Sequence, residues 1–108
     1  MLLRLAYVSR LNSDMTEERI AEMIEAAASA NASHDVTGVI ALEGLRVCQV
    51  IEGDGADIDR LFDNIRADPR HAEVIELDRA EVSTRRYPEW SMVRLPMVDM
   101  VLHAYAVL

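Results

Sequence analysis

Hydrophobic residues recur along the chain with two spacings, and each spacing predicts a different kind of element. Strict alternation over residues 2–9 predicts a strand with Leu5 and Tyr7 on one face. After a polar break with several N-cap candidates, apolar residues three and four positions apart predict a helix whose core-facing stripe ends at Asn31. The same two spacings predict four more strands, at 36–42, 45–51, 74–82 and 87–93, and a second helix through Ile58, Leu61, Phe62 and Ile65, which Pro69 ends.

The predicted order is strand, helix, strand, strand, helix, strand, strand, without an internal repeat or a linker. Because crossovers between strands are right-handed, this order predicts a ferredoxin-like α+β sandwich. We expect a five-stranded mixed sheet with two helices on one face and with the first and third strands as central neighbours. At 108 residues the chain suits one domain, over 1–95, and a C-terminal apolar segment, over 96–108, packed on the sheet or at an interface.

Composition and charge argue against several classes of function. The net charge is −8 and all 11 basic residues are Arg, so the chain repels a phosphate backbone and we expect no nucleic-acid partner. No apolar run approaches the ~20 residues of a membrane span, which predicts no membrane contact. The single cysteine, Cys48, allows no internal disulfide, and no Cys/His spacing suggests a metal. We therefore expect a cytoplasmic protein without a metal site.

Three polar residues are expected to converge on the layer between the sheet and the helices. Tyr7 and Gln49 lie on the helix-facing side of adjacent strands, and Asn31 reaches the same layer from the first helix. Buried polar groups need partners, so the three residues predict either a structural hydrogen-bond cluster or a ligand site. The helix carries Ala27 and Ala30 where larger side chains are expected, which leaves room for a flat ligand, although alanine is also the best helix former.

Five short sequence pieces occur in order along the chain: Tyr7-Val8-Ser9, Asn31 followed by Thr37-Gly38, Gln49-Val50-Ile51-Glu52-Gly53, Ile65-Arg66-Ala67-Asp68-Pro69-Arg70-His71, and Arg85-Arg86-Tyr87-Pro88-Glu89-Trp90-Ser91-Met92. Through these pieces the chain resembles the BLUF family, blue-light sensors that use flavin adenine dinucleotide (FAD), over residues 2–92. The resemblance implies a photoreceptor domain that binds FAD, with FMN or riboflavin as alternatives. It also implies a switch and not an enzyme.

The resemblance implies a role for each matching residue. Tyr7 matches the tyrosine that donates an electron to the excited flavin, and Gln49 matches the glutamine between that tyrosine and the ring. A glutamine side chain has an acceptor and donors at opposite ends, so rotation or a tautomer change reverses the hydrogen bonds that it offers. Trp90 and Met92 match a pair on strand five whose rearrangement passes the signal outward. The residues expected to contact the cofactor are Asn31, Ile24, Ile65, Asp68, Arg70 and His71.

Some positions depart from the family pattern at the expected cofactor site. Ala30 stands where a polar Asn or His is usual, Ala27 where a serine is common, and Asn64 where an Arg or His is frequent. We therefore expect weaker flavin retention, and a flavin-free protein-interaction module is an alternative function. A third candidate is an acylphosphatase-like hydrolase, for which Arg10 and Asn12 are the only suitable substrate contacts.

Residues outside the expected site predict which parts of the domain face solvent and which face away from the flavin. Arg85 and Arg86 are interpreted as a solvated turn, and Cys48 should point away from the flavin.

The last residues, 97–108, are too apolar to remain in water. Together with the sheet face opposite the helices, they predict either a homo-oligomer or a tail folded back on its own sheet. Within the sequence we expect a sensor without an output domain of its own, and therefore a signal to a protein effector.

Overall fold

The computed structural model describes residues 1–100 of the chain. In chain order, the elements are β1 (Leu2–Leu11), α1 (Glu17–Ser33), β2 (Thr37–Glu43), β3 (Arg46–Asp54), α2 (Gly55–Ala67), β4 (His71–Glu81) and β5 (Val93–Pro96). The seven predicted elements are all present in the predicted order. The strands other than the fifth lie within a few residues of their predicted positions.

The strands form one five-stranded sheet in the order β4-β1-β3-β2-β5. β1 is antiparallel to both β3 and β4, and β2 is antiparallel to β3, whereas β5 is parallel to β2. The sheet is therefore mixed, and β1 and β3 are central neighbours as predicted. The fold is the ferredoxin-like α+β sandwich that the order of elements indicates.

Both helices begin at side chains that cap free backbone N–H groups. Thr16 precedes α1, and its hydroxyl accepts a hydrogen bond from the Arg19 N–H at 3.2 Å. Asp54 precedes α2, and its carboxylate accepts one from the Ala56 N–H at 3.3 Å. Because these oxygens satisfy donors that the first turn of a helix leaves open, the polar residues before each apolar stripe determine where the helices start.

Apolar side chains cover both faces of the sheet and form two clusters. The inner core lies between the sheet and the helices; its buried members include Leu5, Tyr7, Ile20, Met23, Ile40, Ile51, Ile58, Phe62 and Met92. The outer core lies on the opposite face; it consists of Val39, Ala41, Tyr87 and Met100, with Cys48, Val50, Val93, Leu95 and Met97 packed against them. Cys48 thus points away from the helices, as predicted.

The predicted position of the fifth strand is wrong, because β5 covers only Val93–Pro96 and not residues 87–93. We call residues 85–92 the strap. Pro88 has no N–H to donate to a ladder, and the strap is held by individual hydrogen bonds instead. At its start, Arg85 donates to the Thr37 hydroxyl at 2.9 Å and to the Asp35 carbonyl at 2.7 Å. The Arg85 side chain is also only 16% exposed, so Arg85 anchors the strap, and its interpretation as part of a solvated turn is wrong.

Candidate functional site

A cavity of about 270 Å³ opens between α1 and α2 above the centre of the sheet. Its lining residues are Tyr7, Met23, Ile24, Ala26, Ala27, Ala30, Asn31, Ile40, Gln49, Leu61, Asn64, Ile65, Asp68, Arg70, His71 and Met92. All the predicted site residues except Trp90 are in this set. The three alanines stand on the α1 side, so their short side chains are the local reason that space remains between the helices.

Tyr7 and Gln49 face each other across the two central strands, because the register of β1 and β3 pairs them directly. The Tyr7 hydroxyl donates a hydrogen bond to Gln49 Oε1, and Gln49 Nε2 points to the Met92 sulfur at 3.4 Å. All three side chains are buried. The result is a continuous buried chain, phenol to amide to thioether, along one wall of the cavity.

The surroundings of Tyr7 keep its phenol protonated. The side chain is 1% exposed, and burial raises the pKa of Tyr7 well above its usual value. The Phe62 ring packs at 5.5 Å between centroids, in a tilted orientation that suits two aromatic rings. The neutral phenol is therefore the favoured form of Tyr7 in this site.

Asn31 connects α1 to the strap at the edge of the cavity. Its side chain is 3% exposed, and its Nδ2 donates to the Ser91 carbonyl at 2.9 Å. Its backbone carbonyl accepts hydrogen bonds from the His34 and Val36 N–H groups at 3.1 and 2.9 Å. Asn31 is thus fixed at both its backbone and its side chain, and it is buried at the end of the helical stripe as the pattern predicted.

Asp68, Arg70 and His71 form a polar corner where α2 passes into β4. The Arg70 guanidinium binds the Asp68 carboxylate at 2.6 to 3.1 Å, and this contact lowers the pKa of Asp68. Burial lowers the pKa of His71, an effect that the nearby Asp68 charge opposes. His71 Nδ1 lies 2.8 Å from the Ser9 hydroxyl, so this ring is held against β1.

Trp90 does not line the cavity, and the predicted place of Trp90 and Met92 on strand five is wrong, because β5 begins at Val93. Trp90 lies in the strap, is 37% exposed, and stacks on Tyr87 with 5.8 Å between ring centroids. Its carbonyl accepts a hydrogen bond from the Gly38 N–H at 2.8 Å. Met92, the other member of the predicted pair, is buried against Gln49. The two residues therefore face different environments, and only Met92 reaches the site.

Several residues near the site were not predicted from the sequence. Met23, Ile40 and Leu61 line the cavity, and their core-facing positions in the hydrophobic pattern could have indicated this. Glu52 is fully buried on the outer face, directly opposite Arg4 in the register of β1 and β3. The sequence could have indicated the pair of Arg4 and Glu52, because they are opposite charges at matching positions of two otherwise apolar strands that are predicted to be neighbours.

The described residues offer little for the hydrolase alternative. Arg10 pairs with Glu73 at 2.9 Å and lines a different pocket from Asn12, whose side chain donates to the Pro69 carbonyl, so the two candidate substrate contacts do not converge on one site. Within residues 1–100 no group of His, Cys, Asp and Glu side chains is arranged to hold a metal ion. No helix in the same range is long and apolar enough to cross a membrane.

Comparison with known sequences identifies relatives over most of the chain. Residues 2–93 match the BLUF family, described as sensors of blue-light using FAD. The chain is 31% identical over 103 residues to the blue light- and temperature-regulated antirepressor BluF of Escherichia coli, covering 95% of this chain and 25% of that protein. It is 34% identical over 104 residues to photoactivated adenylate cyclase subunit beta of Euglena gracilis, covering 94% of this chain and 12% of that protein. The chain thus spans a quarter or less of these two relatives.

Solved structures agree with the sequence matches. The dark-state structure of BlrB, a BLUF protein, has a TM-score of 0.85 and 31% identity, and the match covers 98% of this chain and 80% of that one. A structure of Klebsiella pneumoniae BlrP1 with FMN and cyclic diGMP has a TM-score of 0.84 and 30% identity, covering 95% of this chain and 30% of that one. The chain therefore belongs to the BLUF family, whose domain is a light-sensing module that uses FAD and is not itself catalytic.

Proposed function

We propose that this chain is a blue-light photoreceptor in which Tyr7 and Gln49 are the switch and Met92 is the first residue to receive the signal. The observation that carries the proposal is the buried hydrogen-bond chain from Tyr7 through Gln49 to Met92. It lies on the wall of a cavity between the helices, in a protein of a light-sensing family. A purely structural cluster would account for the hydrogen bonds but not for the adjoining space.

The residues that line the cavity fit a flavin. Most of the lining is apolar and a few polar groups converge on it, which is the usual composition of a site for a flat cofactor. The residues that would hold the cofactor are Ile24 and Ile65 on the apolar walls and Asn31, Asp68, Arg70 and His71 at the polar edges. When bound, the flavin absorbs blue light and accepts an electron in its excited state.

Tyr7 would supply an electron to the bound flavin and a proton to Gln49, and it would regain both afterwards, so that no net oxidation remains and only the hydrogen bonding of Gln49 is changed. A neutral phenol becomes a much stronger acid when it loses an electron, and the Gln49 carbonyl oxygen is already positioned to receive its proton. Because burial disfavours the phenolate, the two losses are coupled in this site.

Gln49 converts that event into a change of hydrogen bonding. In the described arrangement its carbonyl oxygen faces Tyr7 and its NH2 group faces the Met92 sulfur. A rotation or tautomer change would reverse what the amide offers at each end. A thioether is only an acceptor, so Met92 would lose its hydrogen bond and be free to move.

Absorption spectroscopy tests the proposal directly. The purified protein, supplied with FAD, should be yellow and should show a small red shift of its blue absorption band after illumination, reversible in the dark. The same measurement with FMN and with riboflavin determines which flavin is retained. A protein that stays colourless with all three flavins, or whose spectrum is unchanged by light, would contradict the proposal.

The proposal extends to a partner and a compartment. The relatives include an antirepressor and a subunit of an adenylate cyclase, so we infer a protein effector for this domain as well. We also infer a homo-oligomer formed through the outer face of the sheet, and a cytoplasmic location consistent with the half-buried thiol of Cys48. The division of the chain at residue 95 and the course of residues 101–108, which lie outside the described part, stay predictions.

A further inference from the structure

The strap is the segment that joins the two faces of the sheet. Tyr87, near its start, is buried in the outer core, whereas Met92, at its end, is buried in the inner core against Gln49. Between them, the Trp90 carbonyl binds Gly38 and the Ser91 carbonyl binds Asn31. A displacement of Met92 therefore acts on a short, anchored segment whose other end lies on the opposite face.

The buried carboxylate of Glu52 binds the Arg86–Tyr87 backbone at the outer end of the strap, beside the contacts that Arg85 makes with Thr37 and Asp35. Glu52 Oε1 accepts hydrogen bonds from the Arg86 and Tyr87 N–H groups at 3.0 and 2.8 Å. Glu52 Oε2 accepts from the same Arg86 N–H at 2.9 Å and from Arg4 Nε at 3.0 Å. The backbone carbonyl of Glu52 also accepts from Arg85 at 3.2 Å. Three successive strap residues thus bind a single residue of β3.

Burial makes these contacts decisive for the position of the strap. The Glu52 side chain is fully buried and that of Arg4 is 22% exposed. A buried carboxylate must be matched by donors, and charge-assisted hydrogen bonds are stronger than neutral ones. Glu52 lies three positions from Gln49 on β3, so the same strand holds the strap at both its outer and its inner end.

We propose that Glu52 is a positioning residue of the light response: its carboxylate fixes the Arg86–Tyr87 end of the strap, so that movement of Met92 reaches the outer face. The proposal rests on the Tyr7–Gln49 switch proposed above. Glu52 lies outside the cavity, so it has no direct part in the absorption change. By holding the strap, Glu52 determines how often the strap adopts the dark arrangement, in which the Met92 sulfur faces Gln49.

Glu52→Gln is a suitable test because it keeps the shape of the side chain. Each carboxylate oxygen accepts from a donor, so an amide NH2 placed at either position would face an N–H group of the strap or of Arg4. The strap should then sample more positions in the dark. Return from the lit state requires the Met92 sulfur to face Gln49 again. This return is slower when the strap spends a smaller fraction of its time in the conformations that allow the contact.

The expected result has two parts. Glu52→Gln should bind flavin and show the full red shift, but its dark recovery should be slower by roughly three- to tenfold, in proportion to the competent fraction. Trp90 is the only tryptophan of the chain and stacks on Tyr87, so its fluorescence anisotropy in the dark should fall. A role in stability alone would not change the recovery rate at a temperature where both proteins are fully folded.

Ile20→Val is the matched control for loss of stability. Ile20 is buried in the inner core and lines neither the cavity nor the strap, so this variant should recover at the wild-type rate. Glu52 does not position the strap if the dark-recovery rate of Glu52→Gln equals that of wild type and of Ile20→Val. The same conclusion follows if the Trp90 fluorescence anisotropy of Glu52→Gln is unchanged. If wild type itself shows no red shift, the proposed switch fails instead, so the two failures can be told apart.

A second variant decides the question if Glu52→Gln does not fold. Arg4→Gln removes the Arg4 contact but leaves the backbone donors of Arg86 and Tyr87 on the carboxylate. It should slow recovery in the same direction and by less. Wild-type recovery in folded Arg4→Gln, together with loss of flavin binding in Glu52→Gln, would overturn the proposal, because Glu52 would then maintain the fold or the cofactor site and not the strap.

Discussion

At the scale of single residues, the site depends on the hydrogen-bonding groups of Tyr7 and Gln49. A side chain of similar shape without those groups could not replace either one. Phenylalanine keeps the ring of Tyr7 and most of its contacts with Phe62, but it has no hydroxyl to donate to Gln49. Leucine has nearly the volume of Gln49 but neither an acceptor nor a donor. The cavity would survive either change, and the hydrogen-bond chain would not.

We therefore expect Tyr7→Phe and Gln49→Leu to bind flavin and to lose the light-induced red shift. Absorption spectra before and after blue light measure both properties. Tyr87→Phe is the matched control, because it removes a hydroxyl on the outer face of the sheet, and it should keep the shift. A full shift in either of the first two variants would show that the switch is assigned to the wrong residues.

Two alanines at the cavity provide a second prediction at this scale. Ala27 and Ala30 both line the cavity, so polar side chains there could reach a bound cofactor. Each added hydrogen bond is typically worth about 0.5–1.5 kcal/mol, so Ala27→Ser with Ala30→Asn should tighten flavin binding roughly fivefold to a hundredfold. Titration with FAD measures the affinity, with Ser29→Asn on the exposed side of α1 as the control. Unchanged affinity in the double variant would mean that neither position contacts the cofactor.

His71 makes stability depend on pH in a defined direction. Because burial lowers its pKa in the folded state, folding favours the neutral ring. The contribution of neutral His71 to the free energy of unfolding is fully present above the pKa of about 6.5 that histidine has in the unfolded chain. It is lost as the pH falls below that value. Urea unfolding of wild type should show this loss between roughly pH 7.5 and 5.5, and His71→Asn should show less of it. Equal pH dependence in the two proteins would contradict the assignment.

At the scale of elements, the close contact of β2 with β3 requires a glycine. A Cβ at Gly38 would lie 2.0 Å from the Val50 carbonyl oxygen and 3.1 Å from the Ile51 Cα, and both are backbone atoms of a central strand. Neither atom can move without separating the strands. The Gly38 N–H also binds the Trp90 carbonyl, so the strap depends on the same close approach.

Gly38→Ala should consequently lower the free energy of unfolding by about 3 kcal/mol or more, beyond the usual cost of overpacking. Gly55→Ala is the matched control, because a Cβ at that position would meet only the Met1 carbonyl oxygen at 3.8 Å, an ordinary contact. Chemical denaturation measures both. A loss of less than about 1 kcal/mol in Gly38→Ala would show that the two strands separate easily.

At the scale of the whole molecule, the outer face is only partly covered within the described residues. Met97 and Met100 pack on the outer core, so the tail begins by folding back on its own sheet. Beside it, Ile75 and Leu77 on β4 are 56% and 58% exposed. Two adjacent large apolar side chains at a sheet edge are typical of a contact surface, which favours the predicted homo-oligomer.

Ile75→Arg tests this assembly, because an arginine at the proposed contact would have to lose its water. Light scattering should show an oligomer for wild type and a smaller species for Ile75→Arg, with the thermal midpoint nearly unchanged. Ser29→Arg places the same charge on an exposed position of α1 and should leave the oligomer intact. A wild-type protein that is monomeric at every concentration, in darkness and in light, would rule out self-association.

The sequence by itself determined the parts of this protein that depend on local order. Period two in the strands and three-to-four spacing in α1 place Tyr7, Gln49 and Asn31 in one layer, because side-chain direction follows from backbone geometry. Helix starts at Thr16 and Asp54 follow from neighbouring donors within the same turn. The family's sequence pieces then predicted Ile65, Asp68, Arg70, His71 and Met92, which also line the cavity, but not Met23, Ile40 or Leu61.

Only the tertiary structure decided the course of the strap and what it contacts. Tyr87 binds Glu52, 35 residues earlier, and Arg85 binds Thr37, 48 residues earlier, so no local pattern specifies either contact. The apolar residues of the strap suggested a strand, yet Pro88 and these distant partners gave its backbone other hydrogen bonds. Trp90 was expected beside Met92 for the same reason. Which face each one meets depends on how the segment crosses from the outer core to the inner core, and that path exists only once the sheet has formed.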